Sequence, residues 1–393
     1  MMQRLRDSLA TVLDDLPGGP HRPQELARLL KLNKTLSSRI GKAVRTRDPL
    51  ASCNVMPGPE GLRMVLKACA KKGASRESID AAEGAIHAFD RLIRHDLGDR
   101  AALDAIVSDS LPHARKNFEM SNRRAMYKAV ANLKGVTAKA CLRTYLVHPS
   151  DDPVRHDYAM VLGLLGLRRL RPRAVVQVSN IHLARNGGND ARLTLDGQAV
   201  ESVDGLLLKP YCSPALSRLV VRHVGASMQY VLEGEEMGLS SAVDVVIGEV
   251  NRAFFKRYRT AEGRRSTGAF TEVEQPMKTL VFDMLLHEDV WPGCTPELRI
   301  YDMVVRGPAD ANDPTRDIDR LETAESIEFL DHDVARFRAA EIPEYVDMLR
   351  LVCGKLGWDG KKFRGYRCRI RYPFYGSQVC MDFNPPLAPS RSD

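Results

Sequence analysis

The sequence predicts an α+β protein of several domains: an all-helical amino-terminal region followed by a larger mixed, mainly antiparallel β-rich region with packed helices. The length points to more than one domain, because 393 residues exceed what one hydrophobic core usually serves. Up to Lys134 the apolar residues recur at the spacing of amphipathic helices, and after Gly135 they alternate in β-branched runs bounded by turn residues. We therefore expect a helical region over residues 1–134, an α+β region over 135–383 and a disordered tail over 384–393.

Helices are expected throughout the first region because Gly and Pro fall between its apolar runs rather than inside them. The connection after the basic helices should be a loop through Asn54 to Pro59, and Ser75 or Ser78 can cap a longer helix. The expected helices are Gln3–Leu16, Pro23–Lys31, one from Asn33 to about Arg47, Glu60–Lys72, the longer one near Ser75, and two more up to about Leu133.

Strands should dominate the second region, interrupted by two helices with apolar faces, Ala242–Arg257 and Glu341–Gly354. Asn186-Gly187-Gly188-Asn189 is a strong turn signal. The expected strands are Ala138–Leu146, Ala174–Ile181, Arg192–Leu195, Gly205–Lys209, Leu219–His223, Met228–Glu233, Leu280–Leu286, Arg299–Val305, Tyr366–Tyr372 and Gln378–Phe383, the last two forming a closing hairpin that brings Cys368 opposite Cys380.

Positive charge is concentrated in the helical region. Residues 1–130 hold 23 Lys and Arg against 15 Asp and Glu, an excess of eight that equals the net charge of the whole chain. A local excess of cations raises the local potential and releases counterions from a polyanion, so the partner of this region is expected to be anionic.

The remaining composition restricts the class of protein. The eight cysteines include no Cys-x-x-Cys pair, so they are expected to be reduced thiols rather than zinc ligands, and we expect no cofactor. The sequence has no apolar run of ~18 residues, and charges interrupt its amino terminus where a signal peptide needs an apolar stretch. We expect a cytoplasmic protein without a membrane partner.

The densest cationic segment lies between Arg22 and Arg47. Its apolar residues are spaced for two short helices, with a turn at Leu32-Asn33 and Asn33 as the cap of the second helix. Leu36, Ile40, Ala43 and Val44 should form the inward face of that helix. The segment holds one acid, Glu25, and eight basic residues, which are Arg22, Arg28, Lys31, Lys34, Arg39, Lys42, Arg45 and Arg47.

The stretch LARLLKLNKTLSSRIGKAV resembles the helix-turn-helix of bacterial transcription regulators, in which an Ala of the first helix packs against the second and a Ser-Arg-aliphatic triplet ends the recognition helix. Ala27 and Ser38-Arg39-Ile40 match that pattern. Many such motifs have Gly at the turn where this chain has Lys31, so we expect Asn33 to accept the awkward backbone angle. No two-strand wing is readable in Asp48–Pro59, which favours a purely helical variant.

The resemblance implies a second helix lying in the major groove of double-stranded DNA and a first helix crossing the backbone. It assigns base or adjacent phosphate contacts to Lys34, Thr35, Ser38, Arg39 and Lys42. It assigns backbone contacts to Arg28, Lys31 and Arg45. The expected protein is a sequence-specific transcriptional regulator, a homodimer whose second region senses a small molecule or protein, or mediates oligomerisation.

Other interpretations stay open at this point. The basic residues can instead solvate an exposed helical face, or meet RNA or a protein in a structural or defence-associated assembly. The second region can be an enzyme, to which the basic helices are an appended targeting module, with its chemistry near Asp283 and His287. On a strand these two side chains share a face that Glu288 does not, which argues against a metal site, and no catalytic residue is assigned.

Overall fold

A computed structural model gives the fold of the 393-residue chain. It describes residues 1–388 except 19–21, 183–191, 201, 215, 217, 226, 235, 236, 238–241 and 260–265. Two compact units, Met1–Asn122 and Arg123–Asp393, divide the chain. Helices at the amino-terminal end followed by one large mixed sheet and two smaller sheets confirm the predicted α+β fold class. Among the described residues, no helix is both long and apolar enough to cross a membrane.

The first unit is a bundle of short helices around one apolar core. Side-chain caps begin several of them: Asn33, Asp48, Ser75 and Asp99 each accept an amide hydrogen bond from the following turn. Leu5, Ile40, Leu62, Ile86 and Phe89 are among the core residues that are fully buried. The helices are α1 Met2–Asp14, α2 Pro23–Leu30, α3 Lys34–Arg45, α4 Pro49–Val55, α5 Pro59–Ala70, α6 Arg76–Arg91, α7 Arg100–Ser110 and α8 Pro112–Lys134, which continues past Asn122.

Helix α4 was missing from the sequence prediction, which placed a loop near this position. Asp48 caps the helix by accepting hydrogen bonds from the amides of Leu50 and Ala51, and Pro49 supplies the fixed φ of its first position. A helix of seven residues has fewer than two full turns, so its apolar residues are too few to show a helical spacing in the sequence.

The second unit is built on a seven-stranded sheet. Its strands run in the order β11-β12-β9-β1-β2-β7-β4, where β1 and β9 are parallel and the other neighbours are antiparallel. Two three-stranded sheets have the orders β10-β13-β8 and β3-β6-β5, and helix α9 covers Tyr345–Leu356. The strands are β1 Val136–Pro149, β2 Arg155–Arg169, β3 Val176–His182, β4 Arg192–Leu193, β5 Leu219–Val224, β6 Ser227–Leu232, β7 Val243–Lys256, β8 Thr267–Glu272, β9 Met277–His287, β10 Glu297–Asp302, β11 Ile327–His332, β12 Phe363–Arg371 and β13 Ser377–Phe383.

Both faces of the large sheet are covered by apolar side chains. One face carries Met160, Phe282 and Met284, and the other carries Val161, Leu285 and the side chains of α9. A strand buried on both faces contains a nearly continuous apolar run rather than an alternating one. The central strands of this sheet fit that description.

Several predictions for the second region were wrong. The helix predicted at Ala242–Arg257 is strand β7, Val243–Lys256, because a strand with apolar residues on both faces also places them at helical spacing. The expected strand at 205–209 consists of 3-10 turns at Val203–Leu206 and Lys209–Tyr211. Strands β12 and β13 belong to different sheets, so Cys368 and Cys380 do not face one another across a hairpin. The predicted turn at 186–189 lies outside the described residues.

Candidate nucleic-acid interface

Helices α2 and α3 follow one another directly and are joined by a three-residue turn, Lys31 to Asn33. Lys31 takes the left-handed conformation with φ of 53° and ψ of 41°, and the N–H of Leu32 donates to the carbonyl of Ala27 at 3.0 Å, which closes the end of α2. Asn33 then accepts the N–H of Thr35 at 2.7 Å and begins α3. The turn is thus closed at both ends by local hydrogen bonds.

The expectation that Asn33 would take the awkward backbone angle was wrong. Its φ is −59°, and Lys31 has the positive φ instead. A left-handed residue directly after the last helical residue turns the chain so that the N–H groups of Lys31 and Leu32 donate to carbonyls of α2, whereas an N-cap needs an extended backbone. The position of Lys31 is therefore one that favours Gly, and a lysine there adopts the positive φ at some cost in conformational free energy.

The inward face of α3 lies slightly to one side of the face predicted. Ile40 and Ala43 are buried as expected, but Ser37 is also fully buried, while Leu36 and Val44 are only half-buried. Gly41 is buried as well, and a Cβ there would lie 3.1 Å from Nη2 of Arg45. Leu26, Ala27 and Leu30 are the buried side chains of α2.

The outward side of the pair carries cations and hydroxyls. Among the described residues, none of the cations between Arg22 and Arg47 forms an ion pair. The one acid of the segment, Glu25, accepts the backbone N–H of Arg22 at 2.9 Å and so serves the start of α2. We call this surface the cationic face; its exposed members are Arg28, Lys31, Lys34, Thr35, Ser38, Lys42 and Arg45.

Arg39 has a different role from the other predicted contact residues. Its Nη2 donates to the carbonyl of Met56 at 2.9 Å and its Nε donates to that of Val55 at 3.2 Å, so the guanidinium binds the carboxyl-terminal end of α4. Burial lowers the pKa of Arg39, and the nearby Arg100 cation lowers it further. The sequence could not show this contact, because α4 itself was not predicted.

Arg45 also makes a local contact. Its Nε donates to the carbonyl of Gly41 at 2.6 Å, one turn earlier in α3, while the residue as a whole stays exposed. Below α3, the hydroxyl of Ser52 donates to the carbonyl of Ala43 at 3.0 Å and joins α4 to α3. Residues 48–59, all of which are described, contain α4 and no strand, so the winged form is absent here as expected.

The alternative site in the second unit is organised around a buried ion pair. Asp283 is fully buried, and both of its oxygens accept hydrogen bonds from Arg367, at 2.9 and 2.7 Å. The hydroxyl of Tyr345 donates to Asp283 Oδ2 at 2.6 Å. A carboxylate that accepts three buried hydrogen bonds from two side chains is held in place as a structural acid and is poorly placed to exchange protons with a substrate.

His287 lies further along the same strand, among aromatic rings. Its ring meets that of His148 edge-on at 4.7 Å, and His148 stacks on Trp358 at 4.6 Å. Burial lowers the pKa of His287, and the neighbouring His148 lowers it further. The ligand atoms of His287, Glu288 and Asp289 lie within 4.8 Å of one another, but both acids are exposed and Glu288 pairs with Lys362 at 2.9 Å.

The cationic face is the strongest of these candidates, because its charges are accessible and form no ion pair among the described residues. Comparison with models of known protein families and with curated proteins gives no match for this chain.

Proposed function

We propose that the first unit binds double-stranded DNA through the α2–α3 pair and that the protein is a sequence-specific transcriptional regulator. The observation that supports this most directly is the cationic face: cations that are exposed, unpaired among the described residues and grouped on one side of a short two-helix motif. Twelve residues make α3 about 18 Å long, and the major groove, about 12 Å wide, accepts such a helix.

The proposal assigns different roles to the two helices. Lys34, Thr35, Ser38 and Lys42 lie on the exposed side of α3, where cations and hydroxyls can meet base edges and adjacent phosphates. Arg28 and Lys31 flank them from α2 and the turn and would contact the backbone, with Arg45 at the end of α3. Arg39 becomes a positioning residue, because its guanidinium binds α4.

A homodimer is part of this proposal. One helix-turn-helix buries little DNA surface, and two linked copies reading half-sites about 34–36 Å apart bind far more tightly than one. A dimeric regulator would therefore select a short palindrome from genomic DNA.

The test is selection of genomic fragments by the full chain, followed by fluorescence anisotropy on the selected fragment with matched variants. Lys34→Ala/Lys42→Ala should weaken binding by about tenfold or more at physiological salt, because two phosphate-neutralising cations are lost. Lys71→Ala/Lys72→Ala is the control, since it removes the same charge from the same unit. These exposed lysines follow α5, about 16 Å along the helix from Gly61, which lies against Leu36 of α3.

Each outcome decides the proposal. Enrichment of one palindrome, with a loss of affinity in the α3 variant only, supports it. Equal losses in both variants would mean that the whole charge of the unit attracts DNA without a recognition helix. Failure to enrich any duplex would contradict the proposal and favour a protein or RNA partner for the cationic face.

A further inference from the structure

A cavity of about 520 Å³ opens in the second unit. Strands β1, β2 and β7 of the large sheet contribute one part of its wall, and β8 of a small sheet contributes another. The two sheets approach closely here, because the hydroxyl of Tyr145 donates to the carbonyl of Phe270 at 3.3 Å. The volume falls in the range of about 300–1,000 Å³ that is usual for small-molecule sites.

The strand register places polar side chains of three strands on the same side of the large sheet. Tyr145 of β1 pairs with Met160 of β2, which pairs with Glu249 of β7. Tyr158, two residues before Met160 on β2, pairs with Asn251, two residues after Glu249 on β7. Directly paired residues share a face, and residues two apart on one strand share it too, so these side chains all line the cavity.

Two charged residues of the wall, Arg192 and Glu249, neutralise one another in a buried ion pair. Arg192 forms an ion pair with Glu249, whose side chain is 2% exposed, and its Nη1 donates to the hydroxyl of Tyr230 at 2.6 Å. This pair holds β4 and β7 together and leaves little free charge for a ligand.

Arg143 is a cation of the cavity wall that forms no ion pair among the described residues. Its Nη1 lies 3.0 Å from the sulfur of Met160, a weak acceptor, and its Nε is buried without a hydrogen-bond partner. Among the described residues no carboxylate forms an ion pair with it. A partly buried guanidinium is costly without an anion, so this position favours an anionic group from outside the chain.

Further unsatisfied polar atoms line the same cavity. Ser179 Oγ, Asn251 Oδ1 and Thr271 Oγ1 have no hydrogen-bond partner, and their residues are 3%, 3% and 2% exposed. Asn180 Oδ1 is also buried without a partner, while its Nδ2 donates to Glu274 at 2.9 Å. Arg259 Nε and Asp382 Oδ2 belong to lining residues and are likewise buried without a partner. Buried polar atoms are normally paired, so this group of unpaired atoms in one cavity indicates hydrogen-bonding groups of a ligand.

Aromatic rings complete the wall. Tyr145 and Tyr158 lie with ring centroids 5.6 Å apart, and Phe254 meets Tyr158 edge-on at 4.9 Å. Rings offer an apolar surface to the body of a ligand, while the polar atoms fix its orientation.

We propose that this cavity binds a small hydroxylated organic anion, with the oxyanion on Arg143 and the hydroxyl groups on Ser179, Asn180, Asn251 and Thr271. A phosphate ester and a carboxylate share the required chemistry, because the guanidinium fork fits either group. The inference goes beyond the proposed DNA binding and does not depend on it.

The experiment is isothermal titration of the full chain, without DNA, using ribose 5-phosphate, adenosine 5′-monophosphate and gluconate as probes. Ribose and adenosine are the controls that carry the hydroxyl groups without an oxyanion. Inorganic phosphate is the control that carries the oxyanion without an organic body. We expect at least one hydroxylated anion to bind more tightly than its uncharged counterpart and than inorganic phosphate. Binding of a phosphate ester or of gluconate then distinguishes the two kinds of oxyanion.

Variants connect the binding to the cavity. Arg143→Met should weaken binding by about 10- to 150-fold, the usual loss for charge-assisted hydrogen bonds. Lys139→Met is the matched control, because Lys139 is exposed on the same strand and lies outside the cavity. Ser179→Ala and Thr271→Ala are smaller changes that should each weaken binding by about threefold or more, and they test the cavity if Arg143→Met does not fold.

The proposal is overturned by any of three results. These results are probes that bind no better than ribose, adenosine or inorganic phosphate, hydroxyl variants that bind as tightly as the parent, and a folded Arg143→Met that binds as tightly as the parent. Because no DNA is present, failure of this test leaves the proposed DNA binding untouched, and failure of DNA binding leaves this test untouched.

Discussion

The two compact units use their cations differently. On the cationic face of α2 and α3, Lys34 and Lys42 are exposed and unpaired among the described residues. In the second unit, Arg192 and Arg367 each form an ion pair with a buried carboxylate. Exposed cations contribute little to stability and are available to a partner, whereas a buried pair is needed to keep the interior neutral. Removing Lys34 or Lys42 should therefore change binding, and removing Arg192 or Arg367 should change folding.

The largest effect is expected at the Asp283–Arg367 pair. Arg367→Met should lower the free energy of unfolding by about 3–5 kcal/mol, because it leaves Asp283 buried without its cation. Urea denaturation of the full chain measures the loss. Asp283→Leu/Arg367→Met should recover much of it, since an apolar pair needs no neutralisation; a double variant as unstable as Arg367→Met would contradict the structural role of Asp283.

The second prediction concerns Asp382, a buried carboxyl group whose neighbouring cation does not offset the cost of burying its charge. Burial raises the pKa of Asp382 to about 7, although the Arg299 cation opposes that rise, and its Oδ2 has no hydrogen-bond partner. The unfolded carboxyl releases its proton near the ordinary aspartate pKa of 3.8. The contribution of this group to stability is therefore present below that pH and is lost as the pH rises through about 7.

Asp382→Asn should therefore stabilise the protein at pH 8 by about 2–4 kcal/mol and have little effect at pH 3.5. Thermal unfolding of both proteins across this pH range measures the difference. A benefit that is independent of pH would show that Asp382 does not titrate as proposed.

The fold was easier to predict than the cavity, for physical reasons. Local signals predicted the helical pair: Asn33 is a cap, and the apolar spacing of α3 is that of a helix. Strand β2 was not predicted and β7 was taken for a helix, because strands buried on both faces lose their alternation. Arg143, Glu249 and Asn251 meet only through strand pairing across about a hundred residues of sequence, which no local pattern shows.

A smaller effect separates two kinds of cation within α3. Arg39→Ala should lower the free energy of unfolding by about 1–3 kcal/mol, because it removes two hydrogen bonds to the carbonyls at the end of α4. Lys42→Ala should change it by less than about 0.5 kcal/mol, as is usual for an exposed side chain. Urea denaturation compares the two, and equal effects would mean that the contact with α4 does not stabilise the unit.

The smallest effect is expected at the turn of the helical pair. Lys31→Gly should raise the free energy of unfolding by about 0.5–1 kcal/mol, because Gly adopts a φ of 53° without the steric cost that a side chain pays. Thermal unfolding measures this gain. Lys34→Gly is the control: it lies in helical backbone at the start of α3 and should not stabilise the protein.

The dependence of DNA affinity on salt tests the central claim most directly, namely that the cationic face of α3 meets the phosphates of a duplex. For the parent protein, the logarithm of the association constant should fall linearly with the logarithm of the salt concentration. In Lys34→Ala/Lys42→Ala the slope should become shallower by about 2, one unit for each lost phosphate contact, while Lys71→Ala/Lys72→Ala keeps the parent slope. An unchanged slope in the α3 variant, or the same change in both variants, would contradict the account.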